Sequence, residues 1–304
     1  MREDVPSLTA LYVAFARALA TRDAELSHAC TDPYAEALLP RALLPLLRGA
    51  KRVPALSDAV RRLSLGLCDH IALRTALIDA ATEHATTDHL APGGDGLKAS
   101  TAVEQLVLLG AGLDARAHRM PCLAQVTVYE VDHPATQRVK RQKAKPLPVL
   151  AREIRYVPCD FARTRLDDAL AGAGFDAQKR TVWIWEGVTM YLSATQVIDS
   201  LQTIARLSPP ESLLVATYLT PDRVAGGALL GRWSTHLLGA IAEPIRFTRE
   251  PDELAQLLQQ AGFEVWSDAS PNDTAPHFGV HVKRPTSLMP TERIVVATKT
   301  GAQT

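Results

Sequence analysis

The sequence predicts an α/β fold: a mainly parallel sheet with an antiparallel edge, helices on both faces and a helical cap at the N-terminal end. Three observations predict it. Past residue 100, short apolar segments alternate with helical ones, the pattern of β–α–β units. The segment Val182-Trp183-Ile184-Trp185 is apolar at successive positions, as a strand buried on both faces must be. A third segment, Gln105 to Leu109, runs straight into the glycine turn Gly110-Ala111-Gly112, and a further strand ends in the acid Asp132 about twenty residues later.

The first part of the chain shows no strand pattern and reads as helical, rich in Ala and Leu. Residues 8–20 place Leu11, Phe15, Ala18 and Leu19 at helical spacing, with Ser7 as the capping residue. Asp32-Pro33 opens a helix toward Leu39, and Pro33 takes the first-turn position, where a missing N–H is tolerated. Residues 56–83 supply one or two further helices. Residues 1–90 thus form the expected cap, and Ala91-Pro92-Gly93-Gly94-Asp95-Gly96 connects it to the sheet domain, 91–304.

In that domain strands are expected at 103–109, 126–131, 154–157, 181–185, 212–218, 263–266 and 293–298. Helices are expected at 167–173, stopped by Gly174; at 194–207, started by Ser193 and closed by Pro209-Pro210; and at 251–260, ended by Gly262. The final two strands read as an antiparallel edge pair, and the stretch around 221–248 as a lid insertion over the pocket.

Composition removes several function classes. Lys plus Arg and Asp plus Glu each number 33, and no long block carries one sign, so no nucleic-acid partner is expected. The nearest approach, 138–145, suits a helix end, where cations meet the dipole. Cys30, Cys68, Cys122 and Cys159 are too scattered for a disulfide framework or a metal site. His277 and His281 lie among Pro276, Gly279 and strand-like residues rather than on one helical face, so no metal is expected. No apolar run is of membrane-spanning length and Met1-Arg2-Glu3-Asp4 lacks the apolar core of an export signal, so a cytoplasmic location is the expectation. Neither a G-x-S-x-G elbow nor a G-x-x-x-x-G-K-[ST] loop occurs, which argues against hydrolase and phosphotransfer chemistry.

The candidate site gathers at the strand ends. From Gly110 the turn reads G-A-G-L-D-A, without the third glycine of the dinucleotide fingerprint. A nucleoside cofactor lacking a diphosphate fits better, and S-adenosylmethionine is the leading candidate. Gly110 and Gly112 would bring backbone amides near its amino-acid part. Asp132 is the first choice for the ribose hydroxyls, and Glu130, of the same strand parity, is the rival. Asp160 and Phe161 follow the third strand, where an acid and a ring suit an adenine, although Asp160 alone also reads as a helix cap. Glu186 ends an apolar strand and needs a cationic partner, either a ligand amine or sulfonium, or Arg74. Arg74 lies on the otherwise apolar Leu73-Arg74-Thr75-Ala76-Leu77, either as a carboxylate clamp or in an ion pair.

Three stretches together resemble the leucine carboxyl methyltransferase-like family of S-adenosylmethionine-dependent O-methyltransferases. They are Leu109-Gly110-Ala111-Gly112-Leu113-Asp114-Ala115-Arg116-Ala117-His118-Arg119; Glu130-Val131-Asp132-His133-Pro134, followed by Lys140; and Trp185-Glu186-Gly187-Val188-Thr189-Met190-Tyr191-Leu192. Thr9-Ala10, Ala16-Arg17-Ala18, Asp32-Pro33-Tyr34-Ala35 and Arg74-Thr75 agree in order, so the resemblance spans nearly all of 7–220. It implies a Rossmann-like methyltransferase sheet. It further implies that Arg74 contacts the cofactor carboxylate, Gly110 the methionine portion, Asp132 the ribose, Asp160 and Phe161 the adenine, and Glu186 the amino group. Tyr191 would lie on the acceptor side and help orient the substrate. Ala115, His118 and Met120 depart from the more usual Thr, Tyr and Leu without removing a cofactor contact.

The expected reaction is in-line methyl transfer to an oxygen of a small-molecule acceptor. A carboxylate, with a pKa of roughly 4, needs no base at neutral pH. A hydroxyl does, and His236, His277 and His281 are the candidates in the divergent region. The absence of an evident base favours methyl-ester formation and a carboxylic acid acceptor. The alternatives are an NAD-dependent oxidoreductase, which the missing third glycine disfavours, and a non-catalytic nucleoside-cofactor-binding protein.

Overall fold

Strand β1 (Gln105–Leu109) is buried along its whole length because it is paired on both sides, with β2 (Thr127–Asp132) and β4 (Thr181–Trp185), both parallel to it. The structure, a computed structural model, describes residues 8–64, 66–87, 102–161, 163–221, 245–280 and 292–301. The connector at 91–96, most of the expected lid insertion, and His236 and His281 lie outside the described residues.

The sheet has seven strands in the order β3-β2-β1-β4-β5-β7-β6. β3 (Glu153–Pro158), β2, β1, β4 and β5 (Leu213–Leu219) are parallel. β7 (Glu292–Lys299) runs antiparallel between β5 and the edge strand β6 (Phe263–Ala269). The expected antiparallel edge pair is therefore present, with the last strand in the inner position. A bulge between Val265 and Ser267 interrupts the outer pairing.

Period-two alternation sorts the strand side chains into two cores. Val107, Leu109, Tyr129, Val131, Trp183 and Trp185 face one side. There they meet Leu170 of α8 (Leu166–Gly172), Leu201 of α9 (Ala194–Arg206) and Leu258 of α10 (Pro251–Gln260). Leu106, Leu108, Val128, Val182 and Ile184 face the other, with Ile78 and Ala85 of α5 (Leu67–Thr87). Ser193 and Gln196 form a reciprocal capping box on α9, which accounts for its sharp start.

The described residues before the sheet form helices joined by turns, with no strand among them: α1 (Leu8–Ala20), the short α2 (Ala35–Leu38), α3 (Leu44–Arg52), α4 (Pro54–Leu63) and α5. Asp32 Oδ1 accepts from the amides of Tyr34 and Ala35, which starts α2 just after Pro33. α3 falls within the stretch that reads as helical, although the sequence reading gives it no bounds of its own. α5 is buried on most of its sides, between α1 and the sheet, and carries polar residues such as His70 and Arg74 into that interior. A separate cluster joins Phe15, Leu19, Leu38 and Ile71 to Leu113 and Ala115, so the cap packs directly on the loop that follows β1.

Candidate functional site

The loop after β1 takes its shape from two glycines in the left-handed region, Gly110 at φ +73° and Gly112 at φ +50°. The amides of Gly110 and Ala111 both donate to the carbonyl of Val131, at 2.8 and 3.0 Å. That of Gly112 donates to Asp132 Oδ2. A side chain at position 110 would overlap Cγ2 of Val188, from the loop after β4. These amides close the turn onto the end of β2 through the Val131 carbonyl and the Asp132 carboxylate.

Asp132 ends β2 at the sheet's carboxyl edge, and its Oδ1 also accepts from the amide of His133 at 2.6 Å. Burial pushes its carboxyl above the usual range, partly offset by the amides of Gly112 and His133. Glu130 shares its strand face but lies deeper. It is 1% exposed, and Lys140 Nζ, from α7 (Pro134–Ala144), stands 2.6 Å from its carboxylate. Burial raises its carboxyl as well, with Lys140 acting against the rise. The structure thus separates the two acids, with Asp132 at the strand end and Glu130 ion-paired beneath it.

Glu186 follows β4 directly and is gripped by two arginines. Arg74 Nε and Nη2 each lie 3.0 Å from Oε1, and Arg116 Nη1 lies 2.9 Å from Oε2. Burial alone would raise the Glu186 carboxyl, but Arg116 and Arg74 outweigh it and hold the group below the ordinary range. The ion-pair reading of Glu186 and Arg74 is therefore what the structure shows, each being the other's buried partner at the carboxyl end of β4. The loop beyond is tied to β5, with Gly187 N donating to Thr217 Oγ1 at 2.8 Å and Thr189 Oγ1 to Thr217 O at 2.6 Å.

The network continues in both directions. Arg74 Nη1 donates to Glu292 at 3.0 Å, and Glu292 also contacts His70 Nε2. Arg116 pairs with Asp114 and, through Nε at 2.7 Å, with Asp79, which in turn takes Arg119 at 2.7 Å. Arg17 of α1 donates to the carbonyl of Leu113 at 2.7 Å and pairs with Asp32 at 3.2 Å. Sequence reasoning assigned no role to Arg116, Glu292, His70 or Arg17. Arg116 did carry a signal, as an arginine just past the glycine turn. Glu292 carried none, because an acid opening a C-terminal strand reads as exposed.

Asp160 and Phe161 lie just past β3, both half-buried, with Phe161 packed against the core that faces α8 and α9. Tyr191 is half-buried on the single turn Thr189–Tyr191 after Glu186. His277 is exposed on the short turn Ala275–Phe278. Among the described residues no His, Cys, Asp and Glu cluster is arranged to hold a metal, and no helix is long and apolar enough to cross a membrane.

Residues 10–205 match the family described as leucine carboxyl methyltransferase. A Mycolicibacterium smegmatis protein named for an inferred S-adenosyl-L-methionine-dependent methyltransferase activity is 32% identical over 280 residues, covering 88% of this chain and 87% of its own length. A Mycobacterium marinum protein of the same name is 35% identical over 221 residues, covering 70% and 63%. Among solved structures, a Thermobifida fusca protein named for an inferred methyltransferase activity superposes with a TM-score of 0.58 at 14% identity, covering 99% of this chain and 97% of its own. That likeness shows the Rossmann-like fold.

Proposed function

We propose, since the chain belongs to the leucine carboxyl methyltransferase family, that it is an S-adenosylmethionine-dependent O-methyltransferase acting on a small-molecule acceptor. The observation that carries this reading is the convergence of the Gly110 turn, Asp132 and the Arg74–Glu186 pair on the carboxyl edge around β1, where the strand order turns back. That is where open α/β sheets bind ligands.

The residues present fit the cofactor in kind. Asp132, held by two backbone amides, presents a fixed carboxylate to the ribose hydroxyls. Asp160 and Phe161 offer an acceptor and a ring for the adenine. Glu186 would take the amino group, and Arg74 the carboxylate. When bound, S-adenosylmethionine supplies a methyl already activated by its sulfonium. The chain's task is to align an acceptor oxygen behind that methyl and to exclude water. Tyr191, on the turn that follows Glu186, would orient the acceptor. No base is needed for a carboxylate acceptor, which is ionised at neutral pH, and this supports methyl-ester formation over ether formation. An NAD-dependent oxidoreductase is disfavoured, because the turn lacks the third glycine and its amides are engaged within the fold.

Calorimetry with S-adenosylhomocysteine tests the cofactor half, and transfer of labelled methyl to a panel of small acids and phenols tests the acceptor half. Base-labile labelled product identifies an ester. Absence of binding to the folded protein rejects the assignment, and binding without product across the panel favours a non-catalytic cofactor-binding role.

A further inference from the structure

A buried triad of His70, Arg74 and Glu292 stands behind the cofactor residues, and two of its members, His70 and Glu292, have no function assigned so far. His70 and Arg74 are one helical turn apart on α5, so they present side chains on one face. Both reach Glu292, the first residue of β7. β7 runs against its neighbours, and Glu292 is registered opposite Leu219, the last residue of β5. An antiparallel strand therefore delivers its beginning to the edge where the parallel strands end.

Glu292 is 0% exposed; its Oε1 accepts from Arg74 Nη1 at 3.0 Å, and its Oε2 is shared between Arg74 Nη1, at 3.3 Å, and His70 Nε2. Arg74 Nη1 is given to Glu292, while Nε and Nη2 are left to Glu186. All three guanidinium nitrogens are thus engaged, by two carboxylates from two strands. A guanidinium held in this way cannot swing away from Glu186 without abandoning a buried acid. Stability alone is a poor account of the triad, because apolar residues of similar volume are commonly as good or better for a buried core.

We infer that His70 and Glu292 are positioning residues that fix Arg74, and through it Glu186, for recognition of the cofactor's amino-acid end. The inference rests on the cofactor reading given above. It assigns the triad to one part of the ligand: the aminobutanoate group is felt by Arg74 and Glu186, whereas the adenosine is held at Asp132, Asp160 and Phe161.

Two ligands separate these halves. S-Adenosylhomocysteine and 5′-deoxy-5′-methylthioadenosine share the adenosine and the thioether, and differ in the aminobutanoate group. Their affinities are measured by calorimetry for the wild type, Glu292→Gln and His70→Asn, with circular dichroism and thermal melts reporting the fold. The expected result is a loss of about tenfold or more for S-adenosylhomocysteine with methylthioadenosine affinity essentially unchanged. Where Glu292→Gln does not fold, His70→Asn, which keeps the Arg74–Glu292 pair, carries the comparison. Equal weakening of both ligands, or of neither, overturns the inference and marks the triad as structural. A wild type that binds neither ligand overturns the cofactor reading itself.

Discussion

Gly112 donates its backbone N–H to the carboxylate of Asp132, so an acid at the end of β2 closes the glycine turn that follows β1. One side chain therefore shapes the loop and, in the proposed function, also takes the ribose hydroxyls. Asp132→Ala removes both functions and is expected to weaken S-adenosylhomocysteine binding by about 1–3 kcal/mol, the scale for stranded buried hydrogen-bonding groups. Asp132→Asn keeps an acceptor for one amide and should fall between Ala and wild type. Calorimetry on the three proteins checks the order.

The same carboxyl makes binding sensitive to acid. Burial holds Asp132 above the usual carboxylate value, so it takes up a proton at a higher pH than an exposed acid does. Only the ionised form accepts through both oxygens. Affinity is expected to fall on acidification while the pH is still above about 4, before the fold itself is lost. A flat binding profile down to acid unfolding contradicts this.

Gly110→Ala combines two penalties. The left-handed backbone costs an L-residue roughly 1–2 kcal/mol, and the new methyl overlaps Val188. The variant should unfold at lower urea and lose cofactor binding. Adding Val188→Ala removes the overlap but leaves the backbone term, so the double variant is expected to recover only part of the stability.

Glu130 and Lys140 form a pair that is nearly fully buried. Lys140→Met leaves Glu130 without its charge partner, a change that costs about 3–5 kcal/mol for a buried pair. Glu130→Leu combined with Lys140→Met removes both charges and should be far closer to wild type. Urea unfolding of the singles and the double measures the coupling, and additive losses would show that the pair is not coupled.

Burial alone would raise the Glu292 carboxyl, but Arg74 and His70 outweigh it and hold the group at about 2. Its folded value is thus below its unfolded value near 4. A carboxyl depressed by folding stabilises the protein above the unfolded value, and that contribution is lost as pH falls through the folded one. Glu186 is lowered in the same sense by Arg116 and Arg74, against its own burial. The melting temperature should drop steeply between about pH 4 and pH 2 in the wild type. It should drop less steeply in Glu292→Gln, and equal slopes would remove Glu292 from the acid response.

The strands were legible because burial on both faces leaves continuous apolar runs. Thr181–Trp185 falls at its expected bounds, and β1, β2 and β5 begin or end within a residue or two of theirs. Asp132 and Glu186 were legible for a related reason, since an acid directly after such a run marks a strand end. α3 lay within the stretch read as helical but without bounds of its own, and its place is decided by packing on the cap. The partners of the amides in the glycine turn within the fold were not legible, because spacing shows where glycines fall and not which acceptors lie opposite them.

The order of apolar and polar residues along this chain by itself determined an α/β sheet with its acids at the carboxyl edge, for those patterns are local and repeat with the period of each element. Only the tertiary structure decided which charges meet. Glu292 lies more than two hundred residues from His70 and Arg74, and an antiparallel strand brings them together. Glu130 and Asp132 differ by two positions, yet a lysine from the next helix buries one of them as half of an ion pair. Charge pairing in a core depends on which elements face each other, and no local pattern along the chain records that.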